Sequence, residues 1–263
     1  MTVALATTWY PRGELDRLLR LIPRLREWYR HRVIVLPPDQ DVKLLQALGD
    51  SGAFNIRVAA DWADGRYLAL SAAVETGADY IHYADLDRLI RWAETREGEL
   101  IRTLERLQTV DCLMIGRTAQ AFATHPRALR ATETVINSIF SRLLGQPLDL
   151  PSGSKGLSRQ AARFLIANTR PGHGLGGDAE WPVLLCRAGF TLTRFDVDGL
   201  DWETADRYLD GPADERLQRE AAGVYDAIAE NWAHRVSVAQ GIIDAGIDAW
   251  LRPLQAVSEE KPE

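Results

Sequence analysis

Two aspartates, Asp85 and Asp87, follow directly on the strand-like segment 80–84, "YIHYA". Carboxylates this close repel each other, and burial raises the cost of keeping both charged. In an extended segment, residues two apart point to the same side, so both side chains are expected to project together. Paired carboxylates suit a hard cation such as Mg2+ or Mn2+, which also takes phosphate oxygens and neutralises a leaving diphosphate. The pair predicts a metal–nucleotide site; the alternative is a solvated turn in which Arg88 pairs with one aspartate.

The elements that must position this pair alternate between strand and helix. Strand-like segments at about 2–11, 31–38, 54–60 and 78–87 are each separated by one helical segment, the first of which contains Pro23 and is expected to kink or split there. This rhythm predicts an α/β fold with a mostly parallel sheet and right-handed crossovers. Ligands of such sheets lie at the carboxyl ends of strands. The aspartate pair falls at such an end, and so do Asp39 and Asp41 after the second strand.

The rest of the chain continues the α/β pattern and then becomes helical. Helices are expected at about 97–108, 126–144, 157–168 and 179–189, strands at 111–117 and 190–199, and an adaptable loop at Ser152–Gly156. We expect one domain over residues 1–263, with a nucleotide-binding half (1–88), an acceptor-side half (89–205) and a helical C-terminal extension (206–263) that ends in a frayed tail, "SEEKPE".

Composition excludes several classes of protein. The 263 residues are 46% hydrophobic and 26% charged, which is typical of a globular protein, and the net charge of −6 argues against a nucleic-acid partner. Cys112 and Cys186 lie in apolar runs and are expected to be core residues. No signal peptide or membrane-spanning run is recognisable, so a cytoplasmic protein without a transmembrane segment is expected. Homo-oligomerisation is left open.

The segment 55–87 resembles the central block of nucleotide-sugar glycosyltransferases with the GT-A fold, particularly the large family 2. That block consists of a strand, a glycine-led helix with small residues, a small turn, an apolar strand and Asp-x-Asp. The resemblance implies a GT-A-type α/β fold and transfer of a sugar from a nucleoside diphosphate sugar to an unidentified acceptor, with Mg2+ or Mn2+. The matching residues are Gly65, Ala69, Ala72, Ala73, Gly77, Ala78, Asp79, Tyr80, Ile81, Asp85 and Asp87.

The resemblance also implies roles for individual residues. Asp85 would lie near the nucleotide and contribute to the metal site, and Asp87 would bind the metal. The segment 149–159 resembles a loop of polyprenyl-phosphate sugar transferases. Retaining enzymes that glycosylate phosphoglycerate or glycerate share much of the pattern and often use a late histidine as a metal ligand, which here would be His173. The other residues implied in donor binding are Asp39, Asp41, Gly65, Arg66, Ser152, Gly153 and Lys155.

Asp178 and Glu180 are the acids expected to face the acceptor, because the segment 177–190 is similar to the late acidic motif of the same family. In an inverting transfer a carboxylate takes the proton of the acceptor hydroxyl, and Asp178 is the first candidate for this base. The alternative is that Asp178 only caps a helix beginning near Ala179, with Glu180 in its first turn.

Some features depart from this family. The usual Pro-x-x-Asn-Glu after the first strand is absent, and Arg88 follows the aspartate pair. The sugar, the base, the acceptor and the stereochemistry therefore stay open.

Two other functions are weighed. The loop Gly172–Gly177 matches Gly-x-Gly-x-x-Gly, with Asp196 downstream, as in an NAD-dependent oxidoreductase, but a helix and a proline precede it where that fold needs a strand. A catalytically inactive nucleotide-binding protein of the same fold is the third hypothesis.

Overall fold

A computed structural model describes residues 1–255, in which seven strands form one sheet in the order β3-β2-β1-β4-β6-β5-β7. The strands are β1 (Val3–Thr8), β2 (His31–Leu36), β3 (Asn55–Val58), β4 (Tyr80–Asp85), β5 (Cys112–Arg117), β6 (Ser154–Ser158) and β7 (Leu192–Val197). The helices are α1 (Leu15–Trp28), α2 (Val42–Ser51), α3 (Gly65–Glu75), α4 (Leu86–Leu107), α5 (Ala119–Ala123), α6 (Arg127–Leu143), α7 (Arg159–Asn168), α8 (Gly177–Arg187), α9 (Glu215–Asp226) and α10 (Ala229–Leu251).

The first four strands form the predicted parallel half of the sheet. β1 pairs in parallel with β2 and with β4, and β2 pairs in parallel with β3. In this register Thr8, the last residue of β1, lies beside Asp85, the last residue of β4. The carboxyl ends of the central strands therefore meet where the sequence predicts a site.

The second half of the sheet contains a strand that the sequence analysis missed. Ser154–Gly156 was expected in an adaptable loop and residues 157–158 at the start of a helix. Instead Ser154–Ser158 forms β6, which runs antiparallel to both β4 and β5. Its short sequence, "SKGLS", carries one large apolar residue, so no alternating pattern marks it as a strand. Because β6 is antiparallel, it begins where β4 ends: Ser154 pairs with Ala84, and the Gly153 carbonyl accepts a hydrogen bond from the Asp85 N–H.

A buried polar chain ties β6 to β4 beneath this edge. The Tyr29 hydroxyl lies 2.7 Å from His82 Nδ1, and His82 Nε2 lies 2.8 Å from Ser154 Oγ. Complete burial lowers the pKa of His82 to about 3, so the ring is neutral and bonds through both nitrogens.

Apolar cores cover both faces of the sheet. Along β1, Val3 and Leu5 pack into the core beneath α1 and α4, whereas Ala4 and Ala6 pack into the core beneath α3, α7 and α8. Both sets are buried because the central strands are covered on both faces.

Several predicted helix limits differ from the structure. α4 begins at Leu86, directly after β4, and not near residue 97; it bends at Arg96, whose φ and ψ are −144° and 44°. Pro23 lies inside α1, which runs unbroken over Leu15–Trp28. The helical character predicted after residue 206 is confirmed for α9 and α10, and the predicted frayed tail lies outside the described residues. No helix within residues 1–255 is long and apolar enough to cross a membrane.

The contact of α10 with α6 and α8 gives a test of the fold. A Cβ at Gly246 would lie 2.2 Å from the Phe140 ring and 2.8 Å from Ala179 Cβ, so Gly246→Ala should lower the free energy of unfolding by about 1–3 kcal/mol through overpacking. Gly241 is on the same helix, and a methyl group added there would meet no atom within 4 Å, so Gly241→Ala should stabilise by about 0.5–1 kcal/mol. Urea denaturation measures both variants, and equal effects would contradict this packing.

Candidate functional site

The aspartate pair lies at the junction of β4 and α4. Asp85 is the last residue of β4 with extended backbone angles, and Leu86 already begins the helix. The expectation that both aspartates stand in one extended segment was therefore wrong. They are neighbours for another reason: Leu86 turns into the core, and Asp87 lies in the first turn of α4 at the same edge of the sheet as Asp85.

Asp85 is held by polar groups from three elements. The Tyr83 hydroxyl donates to its Oδ1 at 2.8 Å, and the Thr8 hydroxyl lies 3.4 Å away. Arg66, the second residue of α3, approaches both carboxylate oxygens at 3.2 and 3.3 Å. Gly153 packs against the same carboxylate: a Cβ there would lie 2.6 Å from Asp85 Oδ2, and the φ of 74° also favours glycine.

A buried ion cluster extends from Asp85 into the protein. Arg66 Nη1 lies 2.7 Å from Asp178 Oδ1, and Lys155 Nζ lies 2.8 Å from the same oxygen. The Arg66 guanidinium also stacks over the Tyr83 ring, 5.4 Å from its centroid. Burial acts to raise the pKa of Asp178, but the two cations outweigh it and the pKa is lowered. Asp178 is thus a firmly ionised carboxylate between two cations.

Asp87 is in the opposite electrostatic situation. Its nearest cationic partner, Arg12 Nη1, lies 3.6 Å away. Burial, together with the negative charges of Glu203 and Asp85, raises the pKa of Asp87 to about 7, although Arg12 and Arg88 act against the shift. Arg12 and Arg88 therefore compensate this carboxylate only in part.

Glu203 is a residue of this site that the sequence analysis missed. It lies in a short 3₁₀ turn after β7, and its Oε2 is buried without a hydrogen bond, 3.6 Å from Arg88 Nε. The Arg88 side chain is drawn toward the carbonyls of Pro151 and Ser152, not toward Asp87. Nothing in the segment "DWETADR" distinguishes Glu203 from its acidic neighbours, so only the fold could reveal it.

Two residues predicted for the site, Glu180 and His173, make contacts with the C-terminal segment and with each other. Glu180 is completely buried and binds Arg252 near the end of α10, and His173 Nδ1 lies 3.3 Å from the same carboxylate. Within residues 1–255 no group of three His, Cys, Asp or Glu side chains is arranged to hold a metal. The structure therefore gives Glu180 a role in anchoring the C-terminal segment, and the interpretations of Glu180 as a base and of His173 as a metal ligand are not supported by their contacts.

Asp178 does not cap α8 as the alternative interpretation supposed. The helix begins at Gly177, so Asp178 already lies in its first turn, and Gly176 occupies the capping position. Its side chain instead bonds Lys155 and Arg66.

The remaining predicted donor contacts occupy three places. Asp39 and Asp41 follow β2; Asp41 caps α2 by accepting from the Lys43 N–H at 2.8 Å, and Asp39 has a φ of 60°. Gly65 opens α3 close to Trp62. Ser152 is buried at the turn that precedes β6.

The context of the Gly172–Gly177 loop differs from that of a dinucleotide-binding motif. The element before it is α7, which ends at Asn168, and a 3₁₀ turn at Gly174–Gly176 leads into α8. Asp196 lies on β7 and pairs with Arg194. A strand in front of the glycines, which the motif requires, is not present there.

Comparison with known proteins shows the fold. No protein-family model and no curated protein matches the chain. A crystal structure of M. tuberculosis glucosyl-3-phosphoglycerate synthase matches 96% of this chain and 81% of its own, with a TM-score of 0.57 at 12% identity. The same enzyme in complex with phosphoglyceric acid gives the same coverage and identity with a TM-score of 0.55. Its complex with Mn2+, UDP-glucose and phosphoglyceric acid gives 96% and 80% coverage, 11% identity and a TM-score of 0.54. The predicted GT-A fold is confirmed.

The raised pKa of Asp87 gives a prediction for stability. The unfolded chain ionises this group near pH 3.8 and the folded protein near pH 7, so the folded state holds an extra proton between these values and its stability falls as the pH rises through that window. Asp87→Asn removes this penalty. In metal-free buffer it should exceed the wild type by about 1–3 kcal/mol in unfolding free energy at pH 8, with the difference vanishing near pH 4. Denaturant titrations at both pH values test this, with the exposed Asp50→Asn as control; a difference independent of pH would contradict it.

Proposed function

We propose that the protein transfers a sugar from a nucleoside diphosphate sugar to a hydroxyl acceptor, using Mn2+ or Mg2+ at the junction of β4 and α4. The observation that carries the proposal is the carboxylate pair Asp85 and Asp87 where β4 meets α4. Burial, Glu203 and Asp85 together raise the pKa of Asp87 to about 7 there. The likeness in fold to an enzyme solved with Mn2+ and UDP-glucose supports the same conclusion.

The residues at this edge fit a divalent cation. Asp85 and Asp87 provide oxygen ligands, which hard cations prefer. An ion of charge +2 would offset the burial and the repulsion from Glu203 and Asp85 that raise the pKa of Asp87. The pair supplies two protein ligands, as is common for sites where substrate phosphates complete the coordination. When bound, the metal neutralises charge that develops on the diphosphate leaving group.

Arg66 is the protein's own cation for the donor. Its guanidinium lies between Asp85 and Asp178 at the N-terminal turn of α3, and its Cζ lies over the Tyr83 ring. Since an arginine fork binds phosphate oxygens in a defined geometry, Arg66 is suited to orient the diphosphate. Helix α3 also directs backbone N–H groups toward its N-terminus, where anions are stabilised.

Asp178 acts as a positioning residue in this proposal. A carboxylate with a lowered pKa, held by Arg66 and Lys155, is a weak proton acceptor. Its contacts suit it better to fix Arg66 than to remove the acceptor's proton. We therefore replace the role of general base, expected from sequence, with that of orienting the donor-binding arginine.

The nucleoside end of the donor is assigned to the carboxyl ends of β1 and β2. Thr8 ends β1 beside Asp85, and Asp39 and Asp41 follow β2, the next strand outward. A diphosphate at Asp85 would therefore lead the ribose and base toward these two aspartates. The sugar would lie toward β6 and Gly153 on the other side.

Nucleotide binding tests the proposal. UDP, GDP, ADP and dTDP, each with and without Mn2+, are added to the full chain, and we expect a rise in melting temperature with at least one diphosphate that requires Mn2+. Asp87→Asn should abolish the Mn2+-dependent part, whereas Asp50→Asn should retain it. A shift with NAD or NADP, or a nucleotide shift indifferent to Mn2+ and to Asp87, would contradict the proposal.

Sugar transfer itself separates an enzyme from an inactive protein of the same fold. Release of the free nucleoside diphosphate from its sugar donor, followed with Mn2+ present, should depend on Asp87 to the same degree as binding does. Tight Mn2+-dependent binding without any release in the presence of candidate acceptors would favour the inactive protein.

The role of Asp178 gives a separate prediction. Asp178→Asn leaves Lys155 buried beside a neutral amide and should cost about 3–5 kcal/mol of stability, whereas Lys155→Met in the same background should restore much of it. Donor affinity should fall because Arg66 is no longer fixed. If Asp178 were instead the base, the substitution would spare donor affinity and remove the acidic limb of the pH–rate profile. Calorimetry and the pH profile distinguish the two roles.

A further inference from the structure

A cavity of about 530 Å3 lies outside the donor site, between α4, α5, the segment after β7 and the start of α9. Its volume is in the range of about 300–1,000 Å3 that small-molecule sites occupy. None of the side chains that we place on the donor diphosphate lines it.

The inner wall of this cavity is rigid. Arg91 donates to both carboxylate oxygens of Asp201, at 2.7 and 2.6 Å, and Gln218 donates to the same carboxylate at 3.0 Å. Arg91 also bonds Asp206, which in turn binds Arg17 of α1. These contacts join α1, α4 and α9 to the segment after β7, so the wall does not depend on a ligand for its shape.

Several polar side chains at the rim of the cavity have few or no hydrogen-bond partners within residues 1–255. Within residues 1–255, the side chains of Arg96 at the bend of α4, Gln120 and Glu215 form no hydrogen bond or ion pair. Asp198 accepts one hydrogen bond, from the Thr118 hydroxyl at 2.5 Å. The lining thus offers both hydrogen-bond donors and hydrogen-bond acceptors to a ligand.

The charges of the lining restrict the class of ligand. Three arginines and four acidic residues line the cavity, so a strongly anionic ligand meets as much repulsion as attraction. No aromatic side chain is among the lining residues, which leaves a nucleotide base without a stacking surface. Hydroxyl groups both donate and accept, so they match a lining that contains carboxylate, amide and guanidinium groups.

We propose that this cavity binds a small hydroxyl-rich ligand of the carbohydrate or polyol class. The site is separate from the diphosphate site but close to it: Arg91 follows Asp87 by four residues of α4, about 6 Å along the helix. The segment after β7 lies between the two, giving Asp201 to the cavity and Glu203 to the surroundings of Asp87. The inference does not require that sugar transfer occurs.

Ligand-observed NMR and calorimetry on the full chain test this proposal. The probes are maltose, trehalose, glucose and myo-inositol, with inorganic phosphate and glycine as charged comparisons. At least one hydroxyl-rich probe should bind saturably, and Ala123→Trp, which places a large ring at an exposed lining position of α5, should weaken it at least tenfold. Ala119→Trp, exposed on the same helix outside the cavity, should change the affinity less than twofold.

Two further variants test the same proposal in case Ala123→Trp perturbs folding. Arg96→Ala and Gln120→Ala should each weaken the probe at least threefold, and Arg102→Ala, an exposed arginine further along α4, should not. Binding of a nucleoside diphosphate with Mn2+ should be unchanged in all of them, which separates this inference from the proposed function. The inference fails if no hydroxyl-rich probe binds, if only phosphate or glycine binds, or if binding is insensitive to Ala123→Trp, Arg96→Ala and Gln120→Ala.

Discussion

The pairing of β6 with β4 is the constraint on which the candidate site depends. Because β6 runs antiparallel, its first residues arrive at the end of β4, where Gly153 packs against Asp85 and Lys155 passes inward to Asp178. A parallel strand at this position would present its carboxyl end there and turn Lys155 toward a different partner. The buried His82–Ser154 bond secures this register, since a shift by one residue would turn Ser154 to the other face of the sheet.

The carboxylates at the carboxyl end of β4 differ in how well nearby cations compensate their charge. Asp85 and Asp178 share Arg66, and Lys155 completes the balance at Asp178. Asp87 has a first-turn position in α4, where the helix dipole favours a carboxylate by about 0.3–1 kcal/mol. Its pKa is nevertheless raised, so burial and the charges of Glu203 and Asp85 outweigh the dipole. The poorly compensated charge is therefore found at Asp87 and its neighbour Glu203.

The sequence predicted those parts of the fold that have a local signature. The parallel half follows from apolar strands separated by single helices. The aspartate pair is singled out by its position after an apolar strand and by the resemblance of the segment 55–87 to a glycosyltransferase block. Strand β6 was not predicted because it has little apolar content of its own and is buried by its pairing with two neighbouring strands. The partners of Asp178 escaped as well, because Lys155 and Arg66 lie 23 and 112 positions from it in the chain and meet it only through sheet order. The extended geometry assumed for Asp85 and Asp87 was wrong, since helix α4 starts one residue after the strand ends.

The segment after β7 explains why the repulsion at Asp87 persists in the folded protein. Glu203 could relieve it by moving into solvent, but its neighbours in sequence are fixed on both sides. Asp201 is bound by Arg91, and Asp206 is bound by both Arg91 and Arg17. Removing one partner of such a buried pair costs about 3–5 kcal/mol, so a movement of this segment that separates these pairs is costly. The ion pairs of this segment thus hold Glu203 in place, and a proton on Asp87 or a bound cation remains as the means of lowering the local charge.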